Sequence, residues 1–534
     1  MSVQRIMGAE TEYGVISPDR PQVNPTVLSA QIVSTYDALF HRELESAATS
    51  QWEYSSEDPL QDSRGFKQDQ SQAHSSQLTH QADVLTSEQI AAEALRDSGQ
   101  FAERINWDAV TMNSILPNGA RLYVDHAHPE YSSPEVTSPF DAVLWDAAGD
   151  YVAARTVAHI AEHAAELDMP LVHLYKNNTD SKGQSYGSHE NYQISRECPV
   201  DDVVRGLLPF FATRIIMTGA GRVGIGTKGE TPGFQISQRA DFFEREVGLE
   251  TTIRRPLINT RDEPHADATK YRRLHVITGD ANLAHYSNLL KFGTASLVLN
   301  LIEQGAAPHI VLSDPVEAMH TVSHDLTLSA KLALRDGRSL TALEIQREFL
   351  EASQELEADA DEQTQEILEL WEETLDLLEH DLFALSDRLD WVAKYFLLQQ
   401  YVGQGVGWDN PKLAAIDLQY SDVRKEKGLY YKLVQLGKMQ TLFSEAQIED
   451  AARNAPDTTR AYLRGEVVKR WPEEIISVNW DTIVCRNPLE TDVLRFHMPE
   501  PEEFTKKQVQ GILAAEHVEH ADELLRQLLA ASES

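Results

Sequence analysis

The amino-acid sequence predicts an α+β fold of at least two domains, on three observations. The chain has 534 residues, which is too long for one simple hydrophobic core. Several segments alternate polar and apolar residues as strands do, whereas residues 141–165 have the apolar periodicity of a helix that covers one face of a sheet. Residues 441–534 combine helical patterns with the strand-like segment SVNWDTIVC. We therefore expect a large domain over residues 1–440 and a small C-terminal domain over residues 441–534.

The N-terminal part of the chain begins with two regular elements and then changes character. Residues 5–17 form a predicted strand, and residues 24–42 have helical periodicity. Residues 44–114 are rich in Ser, Gln and Asp and have few apolar residues, apart from a short helical pattern over 87–104. This composition predicts a mobile polar insertion in the large domain.

The middle of the chain alternates predicted strands with buried helices. Strand-like segments separated by Gly and Asn turns cover residues 171–180, 185–195 and 234–244. Apolar runs typical of buried helices cover residues 207–221 and 287–305, and acidic helices follow near 340–402. The motif TGAGRVG matches a dinucleotide-binding pattern but is not followed by a helix, so we interpret it as a turn.

Composition excludes several classes of protein. The chain carries 47 basic and 84 acidic residues, a net charge of −37, so its overall field repels nucleic acids and anionic membranes. No apolar run approaches the length of a membrane span, and the N-terminus lacks the apolar core of a signal peptide. The two cysteines, Cys198 and Cys485, are too few for a disulfide framework and are typical of a cytoplasmic protein.

The segment NGARLYVDHAHPEY is the most informative part of the sequence. In a strand, successive side chains project to opposite faces. Arg121, Tyr123 and Asp125 then share one face, and the aliphatic Leu122 and Val124 share the other. Buried charges are costly unless they are paired or bind a metal. Packing alone does not explain such a strand, and we expect it to form part of an active site.

A second acidic segment, GAETEYG, completes the predicted site. Alternation places Glu10 and Glu12 on one face, and we expect this strand to lie beside the Arg121 strand, with Glu130 just beyond. Together these carboxylates would bind a hard cation next to an anionic ligand. Because Asp125 shares its face with Arg121, it either acts as a base or nucleophile or forms a salt bridge across the sheet.

Other polar and aromatic residues have two interpretations each. His189, in SHENY, is either a site residue or a hydrogen-bonded structural histidine. Arg239 and Arg261 either bind phosphate through the guanidinium or pair with a neighbouring aspartate. Trp480, in VNWDTIV, is either an aromatic wall for a ring or a core residue, and the physics of the sequence favours the core.

At these residues the chain resembles the Pup ligase and deamidase-of-Pup family, which is related to glutamine synthetase. The similarity runs through the segments MGAETEYGV, NGARLYVDHAHPEYSSPE, YKNNTDSKGQSYGSHENY, SQRADFFE, INTRDEPHADATKYRRLHVITGDAN, DLQYSDVRKEKGLYYKL, RAYLRG and NWDTIV. These segments span nearly the whole chain. The resemblance implies a glutamine synthetase-like domain, in which helices back a curved, mainly antiparallel sheet, and a small C-terminal domain that closes over a nucleotide.

Two activities share one site in that family. The ligase joins the C-terminal glutamate of the small modifier Pup to a target lysine through a phosphorylated carboxylate. The deamidase converts the C-terminal glutamine of Pup to glutamate and also cleaves Pup from lysines. The polar insertion and the short turn DHAHPEY are similar to the deamidase. The resemblance therefore implies a hydrolase of amide and isopeptide bonds, with Pup and pupylated proteins as partners and with Mg and ATP, or ADP plus phosphate, as cofactors.

The resemblance also implies roles for individual residues. Asp125 is the catalytic carboxylate. The magnesium-contacting residues are Glu10, Glu12, Tyr123 and Glu130, to which we add His189 from its own pattern. The nucleotide-contacting residues are Arg121, Ser133 and Trp480, to which we add Arg239. This assignment of Trp480 replaces the core interpretation.

Two alternatives to the hydrolase stay open. The chain could be the Pup–protein ligase of the same family, or a nucleotide-bound protein that docks Pup without catalysis. Arg272, Arg273 and residues 424–427 are candidate Pup contacts or solvated surface charges. The polar insertion either controls access and holds partners or is an inert linker.

Overall fold

The computed structural model describes residues 3–44, 51–54, 57–69, 71, 73, 110–358, 360–487, 492–515 and 518–532. Most of the predicted polar insertion, including the helical pattern expected over 87–104, lies outside these residues. The strands are β1 (Met7–Glu12), β2 (Gly14–Ile16), β3 (Gln51–Trp52), β4 (Asn113–Ile115), β5 (Arg121–Asp125), β6 (His128–Ser132), β7 (His173–Tyr175), β8 (Ser188–Ser195), β9 (Arg222–Ile225), β10 (Thr231–Gln235), β11 (Phe243–Gly248), β12 (Arg255–Asn259), β13 (Tyr271–Val276), β14 (Leu332–Ala333), β15 (Ser339–Leu340), β16 (Ile475–Val478), β17 (Thr482–Arg486) and β18 (Val493–His497).

The other regular elements of the described residues are two 3-10 helices, Ala240–Phe242 and Leu382–Asp387, and the α-helices. The α-helices are α1 (Pro25–Leu44), α2 (Pro139–Leu167), α3 (Val200–Thr218), α4 (His285–Glu303), α5 (Pro315–His324), α6 (Ala342–Leu356), α7 (Glu362–His380), α8 (Asp390–Val402), α9 (Pro411–Tyr420), α10 (Leu429–Gln435), α11 (Glu445–Arg453), α12 (Ala461–Arg470), α13 (Lys506–Leu513) and α14 (Ala521–Ser532). Across the described ranges, none of them combines the length and the apolar character that crossing a membrane requires.

One six-stranded sheet organises the fold. Its strand order is β13-β8-β1-β6-β5-β4, and every neighbouring pair is antiparallel. The register places Glu10 of β1 opposite His189 on one side and Ser132 on the other. Tyr123 of β5 lies opposite Glu130 of β6. The predicted α+β fold with a mainly antiparallel sheet is confirmed.

One expectation about this sheet is wrong. The two acidic site strands, β1 and β5, are not direct neighbours, because β6 lies between them. Residues His126 and Ala127 form a tight turn between β5 and β6, so these two strands are direct neighbours in the sheet. Glu130 therefore lies at the centre of the acidic surface and not at its edge.

Helices cover the other face of the sheet. The predicted helix at 141–165 is α2, which begins after Ser138, whose side chain accepts a hydrogen bond from the Asp141 N–H. It ends at Asp168, whose φ of 51° is left-handed. α2 contacts β1, α1 and α4. The buried apolar residues of these helices and of the sheet form two clusters, and the aliphatic Leu122 and Val124 belong to the one that includes α1.

The glycine-rich motif TGAGRVG is a turn, as its sequence predicts. Thr218 ends α3 and Arg222 begins β9, so no helix follows the glycines. Gly221 has a φ of +70°, and a Cβ at this position would lie 2.7 Å from the Phe234 ring and 3.0 Å from the Trp391 backbone. The close approach of three chain segments explains why this residue is a glycine, and dinucleotide binding is not needed to explain it.

The C-terminal strands form a second sheet with a strand from the insertion. The order is β18-β17-β16-β3, in which β3 pairs in parallel with β16. Helices α13 and α14 pack near this sheet, and α14 contacts β17. One apolar cluster includes Leu28 of α1, Val124 of β5, Val478 of β16 and Leu525 of α14. The division of the chain near residue 441 stays a prediction.

A buried ion-pair cluster joins the start of α12 to the end of the site sheet. The Glu135 carboxylate accepts a hydrogen bond from Arg460 Nε at 2.8 Å and also binds the Arg464 guanidinium. The side chains of Arg460 and Arg464 are only 3% and 1% exposed. Burial alone raises the pKa of Glu135, but the two guanidiniums outweigh it and hold this pKa at about 2.

We expect Glu135→Gln to lower the free energy of unfolding at pH 7 by about 3 kcal/mol, because two buried guanidiniums lose their counter-charge. The folded-state pKa is below the unfolded value of about 4.3, so this stabilisation is present above that value. It disappears as pH falls toward about 2. Urea unfolding of both proteins across pH measures the difference.

Glu449→Gln, which removes an exposed partner of Arg453, is the control and should change stability by less than about 1 kcal/mol. An equal loss at every pH would contradict the ion-pair explanation.

Candidate active site

A cavity of about 1270 Å³ lies over the polar face of the six-stranded sheet. Strand alternation explains its lining, because the alternate residues of β1, β5, β6, β8 and β13 all point into it. The sheet residues that line it are Glu10, Glu12, Arg121, Tyr123, Asp125, His128, Glu130, Ser132, His189, Arg273 and His275. The intervening Leu122 and Val124 are buried in the core on the other face. The face predicted from the sequence is thus one wall of this cavity.

Three carboxylates meet at the centre of this wall. One oxygen from each of Glu12, Asp125 and Glu130 lies within 4.8 Å of the others. Burial and the nearby charges of Asp125, Glu10 and Glu12 raise the pKa of Glu130 well above its usual range. The Tyr123 hydroxyl donates a hydrogen bond to Glu130 and lowers this pKa only in part. The cluster thus carries more negative charge than its protein partners balance.

A second group of metal-type ligands lies beside the first. Glu10 Oε2 is 3.2 Å from His189 Nδ1 and 3.4 Å from His275 Nε2. Burial lowers the pKa of His275 to about 3, and the Arg273 charge adds to this effect. His275 is therefore neutral at physiological pH, as a metal ligand must be. Asn191 Nδ2 donates to Glu10 Oε1 at 3.0 Å and fixes the carboxylate from the other side.

These two groups fit a hard divalent cation. Carboxylate oxygens are the ligands that Mg²⁺ prefers, and a cation would relieve the repulsion that raises the pKa of Glu130. The residues able to hold it are the predicted Glu10, Glu12, Glu130 and His189, together with His275. Tyr123 stays protonated, because burial and the Glu130 charge raise its pKa well above 10.0. Its neutral hydroxyl can contact a cation only weakly or through its bond to Glu130.

Two histidines, one in the turn between β5 and β6 and one at the start of β6, contact carboxylates of the site. His126, with a φ of 52°, places Nδ1 2.9 Å from Asp125 Oδ1. His128 Nδ1 lies 3.1 Å from Glu12 Oε2, and its ring packs on Tyr186. The salt bridge from Asp125 to Arg121, considered from the sequence, is replaced by the pairing with His126 because the turn brings that imidazole closer. Asp125 remains 19% exposed toward the cavity.

Glu12 is the most tightly bound carboxylate of the group. Gly187 N–H donates to Glu12 Oε1 at 2.6 Å, and His128 contacts the second oxygen. Burial alone would raise the pKa of Glu12, but His128, His189 and the Gly187 N–H together lower it to about 2. Glu12 is therefore ionised at every physiological pH.

Buried arginines form the wall near Glu12. Arg239 is 1% exposed, and its described hydrogen-bond partners are neutral: the carbonyls of Ile277 and Gly279 and the Ser185 hydroxyl. Arg255 Nη2 donates to the Ser185 carbonyl at 2.7 Å. Burial, with the charge of Arg255, lowers the pKa of Arg239 to about 9. Guanidiniums held by neutral carbonyls attract an anionic ligand.

For each arginine, the sequence left open whether it binds a ligand or pairs with a carboxylate of the protein, and the contacts differ from one arginine to the next. Asp241 pairs with His324, so it does not neutralise Arg239. Arg261 pairs with Glu263 and is a structural cation at the cavity edge. The interpretation of Arg272 and Arg273 as Pup contacts loses support. Arg273 points into the site, toward Glu10 and Asn191, and Arg272 donates to the backbone carbonyls of residues 196 and 198.

Of the remaining predicted nucleotide residues, Arg121 and Trp480 line the same cavity as Arg239. Arg121 is 6% exposed, with its guanidinium stacked on the Tyr123 ring at 3.7 Å. Trp480 lines the cavity while it also packs against the core, so both of its interpretations describe part of its surroundings. Ser133 lies apart from this cavity. Its hydroxyl accepts from the Ala9 N–H at 2.9 Å and lines a smaller adjacent space of about 90 Å³ with Trp480.

Several site residues were missed from the sequence. His275 and Arg273 alternate in YRRLHV, which is the same signal that identified the Arg121 strand. Arg255 is the first residue of β12, and the residues next to it do not alternate between polar and apolar as those of a site strand do. His126 and His128 were visible in DHAHPEY, but a turn does not reveal which way its side chains point.

The Pup-ligase protein family model matches residues 5–484. The chain belongs to this family. The Pup deamidase/depupylase of Mycolicibacterium smegmatis is 46% identical over 533 residues, which cover 98% of this chain and 100% of that protein. The Pup–protein ligase of Micrococcus luteus is 40% identical, over 73% of this chain and 89% of its own length.

Solved structures of the family have the same fold. The crystal structure of the complex between Pup and its ligase PafA matches with a TM-score of 0.74 and 30% identity, over 98% of this chain and 95% of that one. PafA in complex with ADP matches with a TM-score of 0.69 and 34% identity, over 84% of this chain and 94% of that one. These matches confirm the predicted glutamine synthetase-like fold.

We expect Gly187→Ala to lower the free energy of unfolding by about 1–3 kcal/mol. An added Cβ would lie 2.4 Å from His189 Nε2 and 2.8 Å from Glu12 Oε1, so one of these groups must move. Urea unfolding measures the loss. The control is Gly511→Ala in α13, where a Cβ meets no heavy atom within 4 Å and should leave stability unchanged or raise it. Unchanged stability of Gly187→Ala would show that the Glu12 contact is not tight.

Proposed function

We propose that this protein is a Pup deamidase and depupylase. It hydrolyses the side-chain amide of the C-terminal glutamine of Pup and the isopeptide bond between Pup and a lysine. The observation that carries the proposal is the similarity to a Pup deamidase/depupylase over essentially the full length of both proteins. The similarity to a Pup–protein ligase leaves a quarter of the chain uncovered. The cavity supplies the chemistry that such hydrolysis requires.

Asp125 is the proposed catalytic carboxylate. It lies at the cavity end of β5, ionisable and partly exposed, and His126 orients it. As a base, it takes a proton from the attacking water while the water oxygen forms the new bond to the amide carbonyl carbon. As a nucleophile, it forms an acyl anhydride that water then opens. In both routes the C–N bond breaks, and the leaving ammonia or lysine amine takes up a proton.

The nucleotide and the cation organise the reaction. A bound Mg²⁺ would neutralise phosphate charge and polarise the scissile carbonyl. Glu10, Glu12, Glu130 and His189 are the proposed metal-contacting residues, with Tyr123 acting through Glu130. The proposed ligand is ATP, or ADP plus phosphate, which organises the site without being consumed in each turnover.

The proposed nucleotide contacts come from two groups of residues. Arg121 and Trp480, which line the cavity, are the proposed contacts to the nucleoside diphosphate, together with Ser133 from the small space next to Trp480. Arg239, with Arg255, is the proposed contact to an anionic phosphate, which their neutral carbonyl partners support. For the protein as a whole, we propose a cytoplasmic location, which the reduced and buried Cys198 and Cys485 suit.

We expect Asp125→Asn to lower the rate of amide hydrolysis by about 10²–10⁴-fold, because the amide can neither accept the proton nor attack the carbonyl. The assay follows the conversion of glutamine-ended Pup to glutamate-ended Pup. It also follows the release of the free lysine target from a Pup–lysine conjugate. The matched control is Asp376→Asn on the exposed surface of α7, which should retain full activity. Asp125→Asn should still bind ADP, which separates lost chemistry from lost folding.

The same assay distinguishes the alternatives. A ligase would join Pup to lysine and release one ADP for each bond formed, and it would leave the glutamine amide intact. A docking protein would bind Pup but show no turnover, and Asp125→Asn would change nothing. Hydrolysis without stoichiometric ATP consumption supports the proposed function.

We expect Glu130→Gln to weaken Mg²⁺ binding at least about tenfold, because it removes one charge from the centre of the carboxylate cluster. Calorimetric titration of the ADP-bound protein with Mg²⁺ measures this affinity. Glu369→Gln, on an exposed turn of α7, is the control and should bind Mg²⁺ as the parent does. Equal affinities in all three proteins would place the cation elsewhere.

A further inference from the structure

Arg121 is held in an unusually complete cage. Its guanidinium carbon lies 3.7 Å from the Tyr123 ring centroid and 4.1 Å from the Trp52 ring centroid. Its Nε donates to Asn113 Oδ1 at 2.8 Å, and its Nη2 donates to the Tyr54 hydroxyl at 3.3 Å. The contacts with the faces of two rings and the two hydrogen bonds together restrict the position and orientation of the guanidinium.

Three of the four caging residues come from the polar insertion. Trp52 and Tyr54 lie near its beginning, and Asn113 lies near its end. They are also bonded to each other, because Asn113 Nδ2 donates to the Tyr54 hydroxyl at 3.1 Å. The two ends of the insertion thus meet at Arg121. Only Tyr123 belongs to the same strand as Arg121.

The first end of the insertion is anchored to the C-terminal sheet. β3 pairs in parallel with β16, where Trp52 lies opposite Val478. Glu53 N–H donates to the Val478 carbonyl at 3.0 Å, and Asn479 Nδ2 donates to the Glu53 carbonyl at 3.0 Å. The Trp52 ring meets the Trp480 ring edge-on, with centroids 5.2 Å apart. The residues flanking Trp52 therefore have fixed positions relative to Trp480.

We propose that Trp52 and Tyr54 are positioning residues for Arg121, and that the described ends of the polar insertion thereby build part of the site for a nucleoside di- or triphosphate. The proposal rests on the proposed nucleotide contact of Arg121. A free arginine side chain loses several rotamers when it binds an anion, and a cage that removes this freedom beforehand raises affinity. Burial between two rings also removes water that would compete with a phosphate.

The plainer explanation is that Trp52 only fills space, since it is 6% exposed. The two explanations differ in whether the effect of Trp52 on nucleotide affinity depends on Arg121. A space-filling residue sets stability and acts on nucleotide affinity independently of Arg121. A positioning residue acts through Arg121, so its effect vanishes once that guanidinium is removed.

The test measures the dissociation constant for ADP at fixed Mg²⁺ by calorimetry, on the full chain. We expect Trp52→Leu to weaken binding about tenfold, because a flat ring no longer holds the guanidinium. Trp52→Phe should restore most of the affinity, and Tyr54→Phe should weaken it by a smaller factor. The control is Phe66→Leu, in the same insertion and 49% exposed, which should bind ADP as the parent does.

The decisive comparison adds Trp52→Leu to Arg121→Ala. If Trp52 acts through Arg121, the double variant binds ADP no more weakly than Arg121→Ala alone. An equal loss in both backgrounds, or no loss in the parent background, overturns the proposal. Binding of ADP by Arg121→Ala with the parent's affinity also overturns it.

A parent protein that does not bind ADP contradicts the proposed function itself, so failure of that function can be told apart from failure of this inference. Should Trp52→Leu not fold, Trp52→Phe and Tyr54→Phe in the same two backgrounds give the same comparison.

Discussion

The crowding of four carboxylates on one face of one sheet is the constraint on which the rest of the site depends. Glu10, Glu12, Asp125 and Glu130 come from three adjacent strands, and burial keeps water from separating their charges. The protein balances part of this charge with Arg273, which lies 3.3 Å from Glu10 Oε1. Burial and the neighbouring carboxylates together raise the pKa of Glu130, and a bound cation is the natural counter-charge.

The opposite face of the same strands shows how the fold tolerates this charge. Thr11 of β1 points away from the cavity and donates to Asp146 of α2 at 3.2 Å. Asp146 and Asp150 both bind Lys176, whose side chain is 1% exposed. Tyr13 and Asn288 also donate hydrogen bonds to Asp150 and Asp146, so this paired layer fixes α2 on the sheet. Strand alternation keeps the paired layer and the unbalanced layer apart.

The arginines that line the cavity are held in two ways. Aromatic rings and a tyrosine hydroxyl contact Arg121. Backbone carbonyls accept hydrogen bonds from Arg239 and Arg255. These carbonyls are neutral, so the positive charges of Arg239 and Arg255 attract an anion.

The sequence by itself determined the site strand and its chemistry. Alternation in RLYVD and GAETE separates polar from apolar side chains whatever the surrounding fold, because a strand has a period of two. The amphipathic helix at 141–165 and the turn at TGAGRVG were predictable for the same local reason. The family resemblance then placed the remaining motifs in one architecture.

Only the tertiary structure decided which strands became neighbours and which distant residues completed the site. β6 lies between β1 and β5 because a short turn pairs it with β5, which no periodicity reveals. His275 reaches Glu10 across β8, and Trp52 reaches Arg121 from a segment whose composition predicted only a loop. Such contacts depend on strand order and on pairing between residues far apart in the chain. Local sequence carries no record of either.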